Sequence, residues 1–382
     1  MRRRSVLGAG ALGAIGLVLP GAAAAVAAPT GAVAGNEEIE AVLRAHFGER
    51  ASWVTAAPPK TAGQTAIGAL RQSAGTTADR LAGVRAWLDS LHGGYRRAIT
   101  AVHVSDLVVE GARATATVTE QTDLVFNVPG SSDRQTYRAE HRVELHASGG
   151  QWYVAATAYQ WTNVFSVPVT QFEDELDLAF QAEKARYAEK AARAGVPAAN
   201  RQPSSTAVTS TLPRERSSDA VALAYNYANM VSYARSWALG RNPAYPSYSD
   251  DCTSFISQSM RAGGWATVGS YPLSSRSSNS NWWYGSYAST SSYTWGGAEN
   301  WYWFARNSGR ARSIGVYQML GADVLQYDFD FDGNISHTQI CTGTNSAGPL
   351  MTQHGSDYRD KPLNEILSNP TNANAWKYAH RT

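Results

Sequence analysis

The side chains best suited to chemistry are a cysteine and a histidine. Cys252 lies in Asp250-Asp251-Cys252-Thr253-Ser254-Phe255-Ile256-Ser257-Gln258, and His337 in Ser336-His337-Thr338-Gln339-Ile340. The first run reads as a helix start. Asp250 or Asp251 can cap it, Phe255, Ile256, Ser259 and Met260 form one mostly apolar face, and Gly263-Gly264 stop it. A thiol there sits at the positive end of the helix dipole, which lowers its pKa toward the reactive thiolate. The second run is strand-like and offers an imidazole, the usual base for such a thiol.

The other cysteine, Cys341, leaves two readings open. An even pair in an exported protein is ordinarily a disulfide. If Cys341 lies on the same strand as His337, four residues on, it is roughly 13 Å from it. A histidine near enough to activate Cys252 then leaves Cys341 too far away to bridge it. The free thiol is the favoured reading.

The elements that must position these residues follow from length and pattern. A chain of 382 residues has room for two domains, each with its own core. A net charge of +2 gives no electrostatic case for nucleic acid or an anionic membrane as partner. The N-terminus carries Arg2-Arg3-Arg4-Ser5-Val6, an apolar stretch from Val6 to Leu19, Pro20, and small residues around Ala25-Val26-Ala27. This reads as a bacterial signal peptide over residues 1–27, with Arg3-Arg4-Ser5-Val6-Leu7 of the twin-arginine kind, so a secreted protein starting near Ala28 is expected. No later stretch is long enough to span a bilayer.

Ile39, Val42, Leu43 and Phe47 recur at helical spacing, as do Leu81, Val84 and Leu88 in a second helix over 77–91. Alternating runs over 99–109, 112–127, 136–147 and 151–160 predict a four-strand antiparallel meander, with hairpin turns at Glu110-Gly111 and Ser148-Gly149-Gly150. Together they make a smaller α+β domain over 36–165, which resembles the cone-shaped nuclear-transport-factor-like fold in pattern alone. Its His103, His141 and His146 read as strand residues on a solvated face, and the domain as accessory. A charged helix over 166–194 and a Pro/Ser/Thr/Arg-rich linker over 195–218 separate it from residues 219–382.

That last domain opens with a helix capped by Ser218 or Asp219 and running to about Leu239, followed by the cysteine helix. Between Trp265 and Phe304 lie six of the chain's twelve tryptophans. Such rings can build a cleft that stacks on sugars or holds a peptide, and Trp282, Trp283 and Trp295, with Asp251, are the candidate substrate contacts; packing as core is the competing reading. Strands are expected over 321–327, 337–343, 350–354 and 376–381. Asp328, Asp330, Asp332 and Gly333 imitate half a calcium loop, but the twelfth position is Gln339, which offers no bidentate carboxylate. No metal and no cofactor are expected.

The blocks Asn242-Pro243-Ala244-Tyr245, Asp251 to Gln258, Ala262-Gly263-Gly264, Ser292-Tyr293-Thr294-Trp295, Gly321-Ala322-Asp323-Val324, Asp328 to His337, Gln353-His354 and Lys361-Pro362-Leu363 resemble, in this order, the bacterial putative amidase domain family. That family lies near the NlpC-type and CHAP cell-wall hydrolases. Cysteine before histidine, with a helix first and strands after, is also the order of papain-like cysteine hydrolases. Departures are Ser254, where the family usually has Asn, and Ala322, in a segment that usually begins Gly-Asp. The resemblance implies a papain-like α+β domain that hydrolyses an amide, with peptide or peptidoglycan-type substrates. Cys252 would be nucleophile and His337 base, with His354 as the residue orienting His337 and Asp357 as its alternative. The competing function is a non-catalytic wall-binding protein whose aromatic cleft holds glycan or peptide. The pattern is silent on oligomeric state.

Overall fold

A computed structural model of the chain describes residues 35–60, 63–66, 69–160, 225–270, 273–329 and 333–382. The expected signal segment, the helix over 166–194, the linker and the centre of the acidic turn lie outside these residues. All that is described belongs to one compact unit, Val33–Thr382.

Helix α1 (Asn36–Ser52) buries Ile39, Leu43, Phe47 and Ala51, a strict i, i+4 stripe. It runs one turn past the expected end because Ala51 continues that stripe. Helix α2 (Ala69–His92) starts earlier than Thr77 and buries Leu81 and Leu88. The meander follows as β1 (Tyr95–Glu110), β2 (Arg113–Phe126), β3 (Arg134–Ser148) and β4 (Gln151–Gln160). Both expected hairpin turns are present, and Gly111 and Gly149-Gly150 adopt the positive φ that tight turns demand.

In the second half, helix α3 (Tyr227–Trp237) starts later than the apolar pattern implied. Asn226 is its cap, accepting the Asn229 N–H at 2.9 Å, so neither Ser218 nor Asp219 opens this helix. Helix α4 (Cys252–Ala262) stops at Gly263, where a Cβ would lie 2.2 Å from Met230 Cγ; only glycine lets α3 and α4 approach this closely. Short α5 (Tyr293–Gly296) and α6 (Ala298–Asn307) lead to β5 (Arg312–Ile314), β6 (Val324–Asp328), β7 (His337–Asn345), β8 (Gly348–Gln353) and β9 (Tyr358–Pro362). Helices α7 (Leu363–Ser368) and α8 (Pro370–Asn374) and strand β10 (Trp376–Arg381) close the chain. The fold is α+β. Among the described residues, no helix is long and apolar enough to cross a membrane.

Each half has an apolar cluster of its own, and a third is shared between them. One antiparallel sheet runs β1-β2-β3-β9-β8-β7-β6-β10-β5, with β4 also on β3. The join is β3 on β9, pairing Thr136 with Arg359 and Tyr137 with Tyr358. Around it, Leu88, Tyr95, Phe126 and Tyr137 share one apolar cluster with Tyr327, Met351, Tyr358 and Leu363. Each such side chain, fully buried, stabilises by ~1.5–3 kcal/mol. A polar knot sits inside: Glu365 accepts from Tyr95 Oη at 2.7 Å and lies 3.4 Å from Lys361 Nζ and 3.6 Å from His92 Nε2. Burial pushes the Glu365 carboxyl up, but Lys361, His92 and Tyr95 together hold it below its ordinary value.

His141 departs from the sequence expectation. It is buried and meets Glu120 Oε2 at 3.0 Å, because it alternates with Ala139, Val143 and Leu145 on the inner face of β3. Leu88→Ala should cost about 2–5 kcal/mol. Circular dichroism and tryptophan fluorescence should then melt together at the lowered midpoint. If the tryptophan-rich second half kept its original midpoint, the cores would be independent.

Candidate functional site

Asp251 occupies the N-cap of α4 but makes no side-chain cap bond. Its Oδ2 instead accepts from His354 Nδ1 at 2.8 Å and from Arg241 Nε at 2.5 Å. The two terminal nitrogens of Arg241 fork onto Asp357 at 2.9 and 3.0 Å. His354 Nε2 donates to the Trp237 carbonyl at 2.7 Å, and its ring stacks on Phe255 with centroids 3.9 Å apart. The N-cap of α4 is thus tied to the end of α3 and to the β8–β9 turn. A second tie runs through the helix: Asn242 Nδ2 donates to Tyr233 Oη, Tyr233 to Gln258 Oε1, and Gln258 Nε2 to Ser254 Oγ, at 3.0, 2.7 and 3.1 Å.

His337 opens β7 and is buried. Its Nε2 donates to Gln353 Oε1 at 2.6 Å, and Gln339 Nε2 donates to the same oxygen at 2.8 Å. Gln353 cannot turn over, because its own Nε2 donates to the Ser356 carbonyl at 3.0 Å. An amide oxygen facing Nε2 makes that nitrogen the N–H and leaves Nδ1 for the sulfur. Cys252 is partly buried, and its Sγ lies 3.7 Å from the Thr253 hydroxyl. Burial pushes the Cys252 thiol up, but the charge and hydrogen bond of His337, the Thr253 hydroxyl and the Thr338 backbone N–H bring it below its ordinary value. His337 moves the opposite way. Burial lowers it, yet Cys252, Gln353 and Asp250 hold it above the ordinary histidine value. The two shifts, opposite in sign, are those of a thiol and an imidazole acting on each other.

Not every expected site residue joins this pair. His354 has both ring nitrogens engaged elsewhere, and Gln353 stands on His337 instead. Neighbouring residues of a strand face opposite ways, so a shift of one position decides which side chain reaches the imidazole. Cross-strand pairing was the available signal: Ile340 faces Thr352, which sets Gln339 and Gln353 side by side. Asp357 serves Arg241. Asp251 is a buried structural carboxylate, with no face left for substrate.

Trp282, Trp283 and Trp295 are core, at 0, 6 and 0% exposure, and do not line a cleft. Trp282 and Trp295, with Trp265, Trp301 and Phe304, back the apolar face of α4; Trp282 Nε1 donates to Ser257 Oγ, which donates to the Trp295 carbonyl. Of the six, only Trp303 is exposed. Cys341 is a fully buried thiol that donates to the Gly343 carbonyl at 3.2 Å, and no bridge to Cys252 forms. Asp330 and Asp332 lie outside the described residues; Asp328 accepts the Gly333 N–H at 3.0 Å. Among the described residues, no group of three or more His, Cys, Asp or Glu is placed to hold a metal.

A thiol lowered by a buried, anchored imidazole at a helix start defines a class of site, one equipped for nucleophilic attack. Residues 224–378, which contain every member of the site, match the family model described as putative amidase domain. The chain is also similar to the uncharacterized protein YhbB of Bacillus subtilis (strain 168), 34% identical over 150 residues. That match covers 38% of this chain and 46%, under half, of the relative. Among solved structures, the Kfla4162 protein from Kribbella flavida matches 32% of this chain and 88% of its own at 14% identity, with a TM-score of 0.21. The intermembrane space region of chloroplast protein ARC6 matches 25% and 72% at 19% identity, with a TM-score of 0.16. Scores this low carry nothing about the fold.

Iodoacetamide should label Cys252 rapidly well below pH 8 and leave Cys341 untouched in the folded protein. His337→Ala removes what lowers the thiol and keeps the burial that raises it, so labelling at pH 6 should slow by about tenfold or more. Equal rates in the two proteins would deny the pair.

Proposed function

We propose that the second half of this chain is a papain-like cysteine amidase, exported to act on amide bonds in peptides of the peptidoglycan type. The observation that carries the reading is the buried His337, held by Gln353 Oε1 at 2.6 Å and acting on Cys252 at the start of α4. Cys252 Sγ attacks the carbonyl carbon, forming an S–C bond and an oxyanion. As the C–N bond breaks, the leaving amine takes the proton from His337 Nδ1. Water then enters, gives a proton back to His337 and releases the acid from the thioester. The backbone N–H of Cys252, at the first turn of α4 where no helical carbonyl accepts it, is one donor for the oxyanion. The arginine-led N-terminal stretch supports export. The wall-binding alternative has lost its motive, since the tryptophans meant to form its cleft are buried.

Purified peptidoglycan peptides and a small peptide amide are the test substrates. Cys252→Ser should abolish amine release, and His337→Ala should lower kcat/KM by ~10²–10⁴. The pH profile should be bell-shaped. Activity falls at low pH as the lowered Cys252 thiolate is protonated, and at high pH as the raised His337 loses its proton. Unchanged hydrolysis by Cys252→Ser would refute the mechanism.

A further inference from the structure

A groove of about 700 Å³ opens along α3, and neither Cys252 nor His337 lines it. Peptide- and cofactor-sized sites typically measure ~300–1,000 Å³. Tyr227, Val231 and Leu320 give it apolar walls, Ser232 a hydroxyl, and Arg235 and Arg359 two guanidinium groups. Tyr227, Val231 and Arg235 are successive i, i+4 positions on one helix face, so apolar and cationic ends stand ~12 Å apart.

The cationic end is built, not incidental. Arg235 is held side-on, its Nε donating to Asp360 Oδ1 at 3.0 Å. Asp360 is nearly buried and sits at φ +58, a left-handed conformation that costs a non-glycine residue roughly 1–2 kcal/mol. It is fixed there by Thr342 Oγ1, which donates to the same carboxylate oxygen at 2.5 Å, and by its own N–H on Thr352 Oγ1 at 3.1 Å. Gly343 leaves room for the guanidinium: a Cβ there would stand 3.2 Å from Arg235 Nη2. Arg359 is steadied by a bond from Nη2 to Thr136 Oγ1 at 2.8 Å, with no carboxylate partner among the described residues. Two arginines against one aspartate leave the groove one positive charge in excess.

We propose that this groove binds a short peptide-like monoanion, its carboxylate received by Arg235 and Arg359 and its apolar side chains by Tyr227, Val231 and Leu320. A guanidinium fork matches a carboxylate in shape, and a single excess charge suits a monoanion better than a phosphate dianion. The proposal does not depend on the activity assigned to Cys252.

The test uses the full chain carrying Cys252→Ser, so that no hydrolysis or thiol chemistry intervenes. It is titrated calorimetrically with acetyl-Leu-Ala-Ala bearing a free carboxylate, and with the same peptide as its terminal amide. The acid should bind, and the amide about tenfold or more weaker. Arg359→Gln should weaken the acid by a similar factor, Arg359→Lys less. Because Arg359 also touches the seam between the halves, Ser232→Trp, on the exposed face of α3, is the second variant. It fills the groove without touching the seam and should abolish binding at an unchanged melting temperature. No binding of the acid, equal binding of acid and amide, or binding unaffected by Ser232→Trp would each overturn the proposal. So would displacement of the peptide by an equal concentration of inorganic phosphate.

Discussion

The carboxylate of Asp251 is the contact on which the placement of the thiol depends. An aspartate at a helix N-cap normally accepts one of the helix's own first N–H groups. Here it is drawn away by His354 and Arg241, and through them to Trp237 and Asp357. Two things follow. The start of α4 is clamped to the turn that carries Gln353, so cysteine and imidazole share one frame. The first-turn N–H donors stay uncommitted, and the helix dipole acts on Cys252 without a capping carboxylate competing for it. The negative charge of Asp251 beside the thiol is met by the Arg241 guanidinium and the His354 N–H.

A buried thiolate–imidazolium pair would not survive in an apolar surrounding alone, since burial opposes both charges. What offsets burial is first the charge each of the two groups places on the other, and then a set of oriented dipoles: Gln353 behind His337, and the Thr253 hydroxyl and Thr338 N–H on the sulfur. The charged residues around Arg241 serve to hold the frame.

Local features were legible in the sequence because local rules made them. The helix start at Cys252, the strand at His337 and the glycine hairpins follow from periodicity, capping and positive φ. What failed were decisions that depend on which way a side chain faces or what it meets far along the chain. Gln353 and His354 differ by one position, and only cross-strand register chooses between them. The tryptophan-rich stretch has the composition of either a cleft or a core, and composition gives no direction. Glu365 meets Tyr95 across most of the chain, a contact no window of sequence contains. Ala322 is a middle case. Its φ of +78 is one that glycine adopts at less cost, while its methyl, fully buried among the aromatic rings, offsets part of the strain.

The short pairing of β3 with β9 also guards a frontier. β9 meets β3 only through Thr136, Tyr137 and the Arg138 N–H, which donates to the Asp357 carbonyl at 3.0 Å. Take the first half away and β9 becomes a bare margin of the sheet, with backbone donors and acceptors facing water. Such margins recruit other strands, including those of identical molecules. The N-terminal half thus covers a margin of the sheet that would otherwise stand open to water.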